Sequence, residues 1–171
     1  EQRVVQSSRR GCVYPYEIIR MLEGQRSANQ VDVPHPDIGQ GRFQEYDYDE
    51  NDVFSSVVRP LGMNSCGVVV GIMTNCTLKY PDGMPRVWIG SDPTRAMGAL
   101  AEPECRRIIA ALEIAEKFSM PVEWIPVSSG AKISMDSGTE NLDWTAKVLR
   151  QIILFTQKGG IINLIIHNVN V

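Results

Sequence analysis

The sequence lacks most of the features that would assign a chemistry at sight. No CxxC pair is present, and histidine occurs only at positions 35 and 167. So thin a supply of imidazole and paired thiolate argues against a zinc site, and no metal is expected. No segment approaches the roughly 18 consecutive apolar residues of a membrane-spanning helix, and residues 1–25 lack the apolar core of a signal peptide. Basic excess is missing too. With a formal charge of -3 and an isoelectric point near 5.4, there is no general electrostatic reason to bind nucleic acid or an anionic membrane. Neither a Ser-His-Asp nor a Cys-His arrangement is visible, and the phosphate-loop pattern GxxxxGK is absent.

What remains is a chain of 171 residues, 43% hydrophobic and 22% charged, long enough for one sizeable core. Cys12, Cys66, Cys76 and Cys105 are far apart in apolar or helical surroundings, which reads as free buried thiols in a reducing cytoplasm. The chain opens on Glu1 and stops at Val171 directly after the apolar "IINLIIHNVN", so a piece of a longer polypeptide is expected.

Two regions differ in texture. Residues 1–52 read as a lead-in: a helix in "PYEIIRMLEG", stopped at Gly24, then "SANQVDVPHPDIGQGRFQEYDYDEND", a surface excursion or linker. His35, between two prolines, is expected in a solvated loop. Glu45, Asp47, Asp49, Glu50 and Asp52 are expected to form a solvated acidic loop, because the turn glycine of a calcium loop is missing. Arg3, Arg9 and Arg10 read as an exposed basic stretch. Residues 53–171 are more tightly patterned. "CGVVVGIMTN" and "RVWIGSD" predict neighbouring strands joined by a turn at Pro81, Asp82 and Gly83, their continuous apolarity implying burial on both faces. A helix opening at Pro103, a strand "VEWIPV", a helix from about Leu142 to Gln157 and a strand "IINLIIH" follow. Such alternation predicts an α/β fold with covered, largely parallel strands. His167 and the three tryptophans, Trp88, Trp124 and Trp144, read as a strand-end histidine and core residues.

The stretch "PVSSGAKISMD" stands where ligands bind in such folds, at the carboxyl end of a strand. Small residues there let backbone N–H groups face an oxygen, as in an oxyanion hole. Gly130 serves equally well as the pivot of a tight turn, and the local sequence leaves both readings open. A dinucleotide-binding loop fits poorly, because GxGxxG must open a helix at once and "SMDSGTEN" intervenes.

In order and spacing, "PDGMPRVWIGSDPTRAMGALAEPECRRIIAALEIAEKFSMPVEWIPVSSGAKI" resembles the N-terminal half of the carboxyltransferase component of biotin-dependent acyl-CoA carboxylases, acetyl-CoA carboxylase type. The matching positions are Gly90 to Asp92, the "MGALA" loop at 97–101, the helix from Pro103, Val122 to Val127, and "SSGAKIS" at 128–134, within roughly residues 53–171. What the resemblance implies is a crotonase-like ββα superhelix, incomplete here. A backbone oxyanion hole would hold an acyl-CoA thioester as its enolate while a carboxyl group arrives from carboxybiotin, the cofactor biotin being carried on another domain or subunit. By position, Ser129, Gly130 and Ala131 would supply the donors. Gly98 and Ala99 would contact substrate, and Lys132 stands where the family has Arg, keeping the charge without the bidentate fork. The implied partners are the acyl-CoA substrate, biotin carboxyl carrier and biotin carboxylase domains, and a second carboxyltransferase half in a homo-oligomer. Without that half, the isolated chain is expected to be inactive. The alternatives are a crotonase-type enoyl-CoA hydratase or isomerase, for which Asp136 and Glu140 are the available acids, and a non-catalytic assembly domain with a degenerate site.

Overall fold

The computed structural model describes residues 1–24, 38–135, 137 and 139–167. Its elements in chain order are α1 (Gln2–Arg9), α2 (Pro15–Leu22), β1 (Arg42–Tyr48), β2 (Phe54–Ser56), β3 (Val68–Asn75), β4 (Met84–Ser91), α3 (Glu102–Lys117), β5 (Val122–Ile125), α4 (Glu140–Gln157) and β6 (Ile162–Leu164). The strands form one six-stranded mixed sheet in the order β2-β1-β3-β4-β5-β6.

The alternation seen in the sequence is present, but the sheet is not largely parallel. Only β4, β5 and β6 run parallel, whereas β1–β2, β1–β3 and β3–β4 are antiparallel. The reason lies in connection length. Eight residues turning at Pro81, Asp82 and Gly83 join β3 to β4, enough for a hairpin and too few for a parallel crossover. Helices α3 and α4 span the β4–β5 and β5–β6 connections and so permit parallel pairing.

The paired strands β3 and β4 are buried on both faces, as their apolarity predicts, and residue parity sorts the core. Val68, Val70, Val87 and Ile89 face Cys105, Ile108, Leu112 and Ala115 of α3 and Val148 and Phe155 of α4. Val69, Met73 and Trp88 face Tyr16 and Ile19 of α2 on the opposite side. Leu112 is fully buried; Leu112→Ala is therefore expected to lower the unfolding free energy by about 3 kcal/mol, measurable by urea denaturation. Trp124 and Trp144 are only half-buried, and Lys147 lies over the Trp144 ring at 3.9 Å.

Three of the four thiols are buried and Cys76 is partly exposed; none of the four is in a disulfide. Burial pushes the Cys66 thiol up to about 12 and the Cys105 thiol to about 11. Both are thus uncharged packing groups rather than nucleophiles.

The acidic segment departs most from expectation. Residues 42–48 are not a linker but strand β1, paired along β3, and Glu45 and Asp47 point inward with exposures of 7% and 2%. Asp47 accepts hydrogen bonds from Arg59 Nη1 (2.7 Å), Arg107 Nε (2.7 Å), the Ser65 hydroxyl (2.7 Å) and the Tyr48 N–H (2.8 Å). Glu45 binds Arg59 and receives the Tyr16 hydroxyl at 3.0 Å. Two carboxylates can be buried because two partly buried guanidiniums pair with them. The remaining acids behave as turn residues: Asp49 accepts the N–H groups of Asn51 and Val53, and Asp52 pairs with Arg106 at 2.7 Å. His35 lies outside the described residues.

Candidate functional site

Strands β4 and β5 are parallel neighbours, so the chain leaves both at the same sheet end, and the segments that follow, 92–101 and 126–134, lie side by side. They are joined as a short parallel bridge between Leu100 and Ala131. The Leu100 N–H donates to the Gly130 carbonyl at 2.9 Å and the Lys132 N–H to the Leu100 carbonyl at 2.7 Å. In a parallel bridge of this kind the intervening residue directs its own N–H to the opposite side. The Ala131 N–H has no partner among the described residues and is turned away from Leu100.

The first loop is unusually bent. Ala96, Met97 and Gly98 all have positive φ, at 46°, 52° and 73°, a left-handed turn that costs energy at the two non-glycine positions. Gly98 must be glycine for a second reason: a Cβ there would lie 1.8 Å from the Val127 carbonyl oxygen. The turn therefore sits directly on the peptide that leads into the second loop. Its own polar groups are engaged locally, Gly98 N–H with the Arg95 carbonyl and Ala99 N–H with the Ala96 carbonyl, both at 3.0 Å. The Ser129 hydroxyl reaches the Ala96 carbonyl at 3.4 Å, a second tie between the loops.

The second loop pivots at Gly130, φ 86°. The Gly130 N–H donates to the Ser128 hydroxyl at 3.0 Å, so that donor is capped by its own loop. Ser129 and Lys132 are exposed, Gly130 and Ala131 half-buried. Lys132 makes no ion pair among the described residues, while its carbonyl is held by Asn141 Nδ2 at 2.9 Å, fixing the loop to the first turn of α4.

The structure thus brings together all six residues singled out in the sequence: Gly98 and Ala99 on one loop, Ser129, Gly130, Ala131 and Lys132 on the other. Sequence reasoning missed the supports. Glu104 accepts the Ala101 N–H at 3.2 Å and the Gly67 N–H at 2.8 Å, anchoring the start of α3 to the start of β3. Asp92, completely buried, accepts the Thr94 N–H (2.9 Å), the Thr94 hydroxyl (2.5 Å) and Asn64 Nδ2 (2.9 Å). An Asp-Pro-Thr tripeptide is a legible turn signature, but nothing in the sequence announces Asn64, which lies 28 residues away. Of the alternative acids, Asp136 is outside the described residues and Glu140 opens α4. His167 is exposed beyond the end of β6. Among the described residues no group of three or more His, Cys, Asp or Glu side chains is placed to hold a metal ion, and no helix is long and apolar enough to cross a membrane.

Comparison with known proteins points in one direction. No family model matches the chain. Among curated proteins, the acetyl-CoA carboxylase of Schizosaccharomyces pombe is 30% identical over 87 residues, 51% of this chain. The acetyl-CoA carboxylase dmxL1 of Cryptosporiopsis sp. is 31% identical over 135 residues, 73% of this chain, and that of Dictyostelium discoideum 34% over 77 residues, 45% of it. The matches span only 4%, 6% and 3% of those relatives' own lengths. The chain is related to a small region of acetyl-CoA carboxylases.

Proposed function

We propose that this chain is the N-terminal, crotonase-like part of a carboxyltransferase, in which the paired loops hold the thioester of an acetyl-CoA-like substrate. The observation that carries the reading is the bridge between Leu100 and Ala131, which locks two glycine-bearing loops together at the carboxyl ends of parallel strands and leaves the Ala131 N–H without an acceptor among the described residues. Carboxylation next to a thioester requires loss of a carbon-bound proton, and the barrier falls when the developing enolate oxygen meets fixed N–H donors. Ala131 supplies one such donor. Ser129 N–H is a second, and Gly130 N–H joins when the Ser128 side chain rotates off it. Lys132, exposed beside them, offers a positive charge to a carboxylate or phosphate of the substrate. Biotin, carried elsewhere in the complete enzyme, supplies the carboxyl group; this chain's share is to bind and orient the acyl-CoA. The second carboxyltransferase half would close the site from the other side.

The test uses the complete enzyme containing this region. Gly130→Val adds a branched side chain at a left-handed position, and carboxylation of acetyl-CoA is expected to fall about 100-fold or more, the scale of losing one oxyanion donor. An unchanged rate would sink the assignment. The capped Gly130 N–H is what favours a second reading, a non-catalytic assembly domain; that reading requires that acetyl-CoA not bind at these loops at all.

A further inference from the structure

We propose that helix α1 is a positioning element for the paired loops, acting through Arg3 and Arg10 on the turn at 92–94; the functional part of this inference rests on the thioester reading above. Residues 1–10 read in the sequence as an exposed basic stretch; Arg9 and Arg10 are exposed and Arg3 half-buried, but Arg3 and Arg10 are bonded to other segments of the chain. Arg10 Nη1 donates to the Pro93 carbonyl. Arg3 Nη1 donates to Asn64 Oδ1 at 2.8 Å and to the Gly62 carbonyl at 2.9 Å, and lies 3.6 Å from the Asp92 carboxylate. Asn64 is the hub. Its amide nitrogen binds Asp92 and the Cys66 carbonyl, and its backbone carbonyl accepts Arg95 Nη2 at 2.8 Å. Arg95 in turn begins the left-handed turn whose Gly98 rests on Val127. From α1 to the second loop there is thus an unbroken series of direct contacts.

Core packing does not account for this placement. In α1 the only buried residue is Ser7, and Val4 alone packs against the apolar cluster under α2. The helix is held largely by the same polar contacts with which it holds the turn. The turn needs such support, because Ala96 and Met97 occupy a region that relaxes unless its surroundings enforce it.

Arg3→Met and Arg10→Met keep the aliphatic stems and remove the donors. Hydrogen exchange on the full chain, read as the ratio of amide rates at 95–100 and 128–132 to those of the β3–β4 core, separates local loosening from global instability. In the double variant that ratio is expected to rise about tenfold or more, the consequence of losing charged hydrogen bonds, and Arg10→Lys, which retains one donor for the Pro93 carbonyl, is expected to stay near wild type. An unchanged ratio, including the case in which loops and core accelerate together, overturns the proposal. Acetyl-CoA titration of the complete enzyme supplies the functional arm: weaker binding in the double variant than in wild type supports positioning of this site. If the wild-type enzyme binds acetyl-CoA without protecting these loops, the thioester reading fails, while the exchange ratio still decides whether α1 holds the turn.

Discussion

Gly98→Ala is expected to cost about 3 kcal/mol or more in stability and, under the proposed function, to abolish acyl-CoA binding at the paired loops, although it adds a single methyl group. Two effects add. The left-handed backbone at φ 73° is unfavourable for alanine, by about 1–2 kcal/mol. The new Cβ would also lie 1.8 Å from the Val127 carbonyl oxygen, a contact with backbone that no rotamer change relieves, so one loop must move off the other. Gly159→Ala is the matched control. Its φ of 89° is equally left-handed but no atom lies within 4 Å of the added Cβ, so only the backbone cost of about 1–2 kcal/mol is expected there. Urea denaturation of both variants, with acetyl-CoA titration of the complete enzyme carrying each, checks the contrast. Equal losses for the two glycines would show that the close approach of the loops is unimportant.

Asp47→Ala is expected to destabilise by about 3–5 kcal/mol, because it leaves the partly buried guanidiniums of Arg59 and Arg107 without their common carboxylate. A pH signature distinguishes this from a simple loss of volume. Burial by itself raises the Asp47 pKa, but the Ser65 hydroxyl, the Arg107 charge, the Arg59 hydrogen bond and the Tyr48 N–H outweigh it and hold the carboxyl below its ordinary value. A depressed folded-state pKa means that the contribution is complete above the unfolded value of about 4 and is lost as pH falls from there through the folded value. Between pH 7 and pH 2 the wild-type stability should therefore fall more steeply than that of Asp47→Ala in the acid limb. Parallel curves would remove Asp47 from the account of acid stability.

These two residues also show why parts of the molecule were legible in the sequence and others not. The helices α2, α3 and α4 and the strands β3 to β6 follow from local periodicity, proline placement and glycine stops, each contained within one segment. Strand β1 did not announce itself. Its sequence "RFQEYDY" alternates, but its buried positions carry Glu45 and Asp47 rather than aliphatic residues, and polar composition reads as loop. What makes it a strand is pairing along β3 and the charges of Arg59 and Arg107, residues 12 and 60 positions from Asp47. The same holds for Arg3, whose partners Gly62 and Asn64 are 59 and 61 residues away.

The sequence by itself determined the order of the elements from β3 to β6, the double-sided burial of β3 and β4, and the small residues at 97–101 and 128–134, because each depends on chemistry that neighbours along the chain already share. Tertiary structure alone decided which donors those small residues present. Whether an N–H has no partner among the described residues, as at Ala131, or is capped, as at Gly130, is set by the placement of Leu100 and Ser128 in three dimensions. It also decided that acidic residues lie inside and that α1 grips the turn beside the site. Charge and hydrogen-bond satisfaction are properties of pairs, and these pairs form only when distant segments are folded against each other.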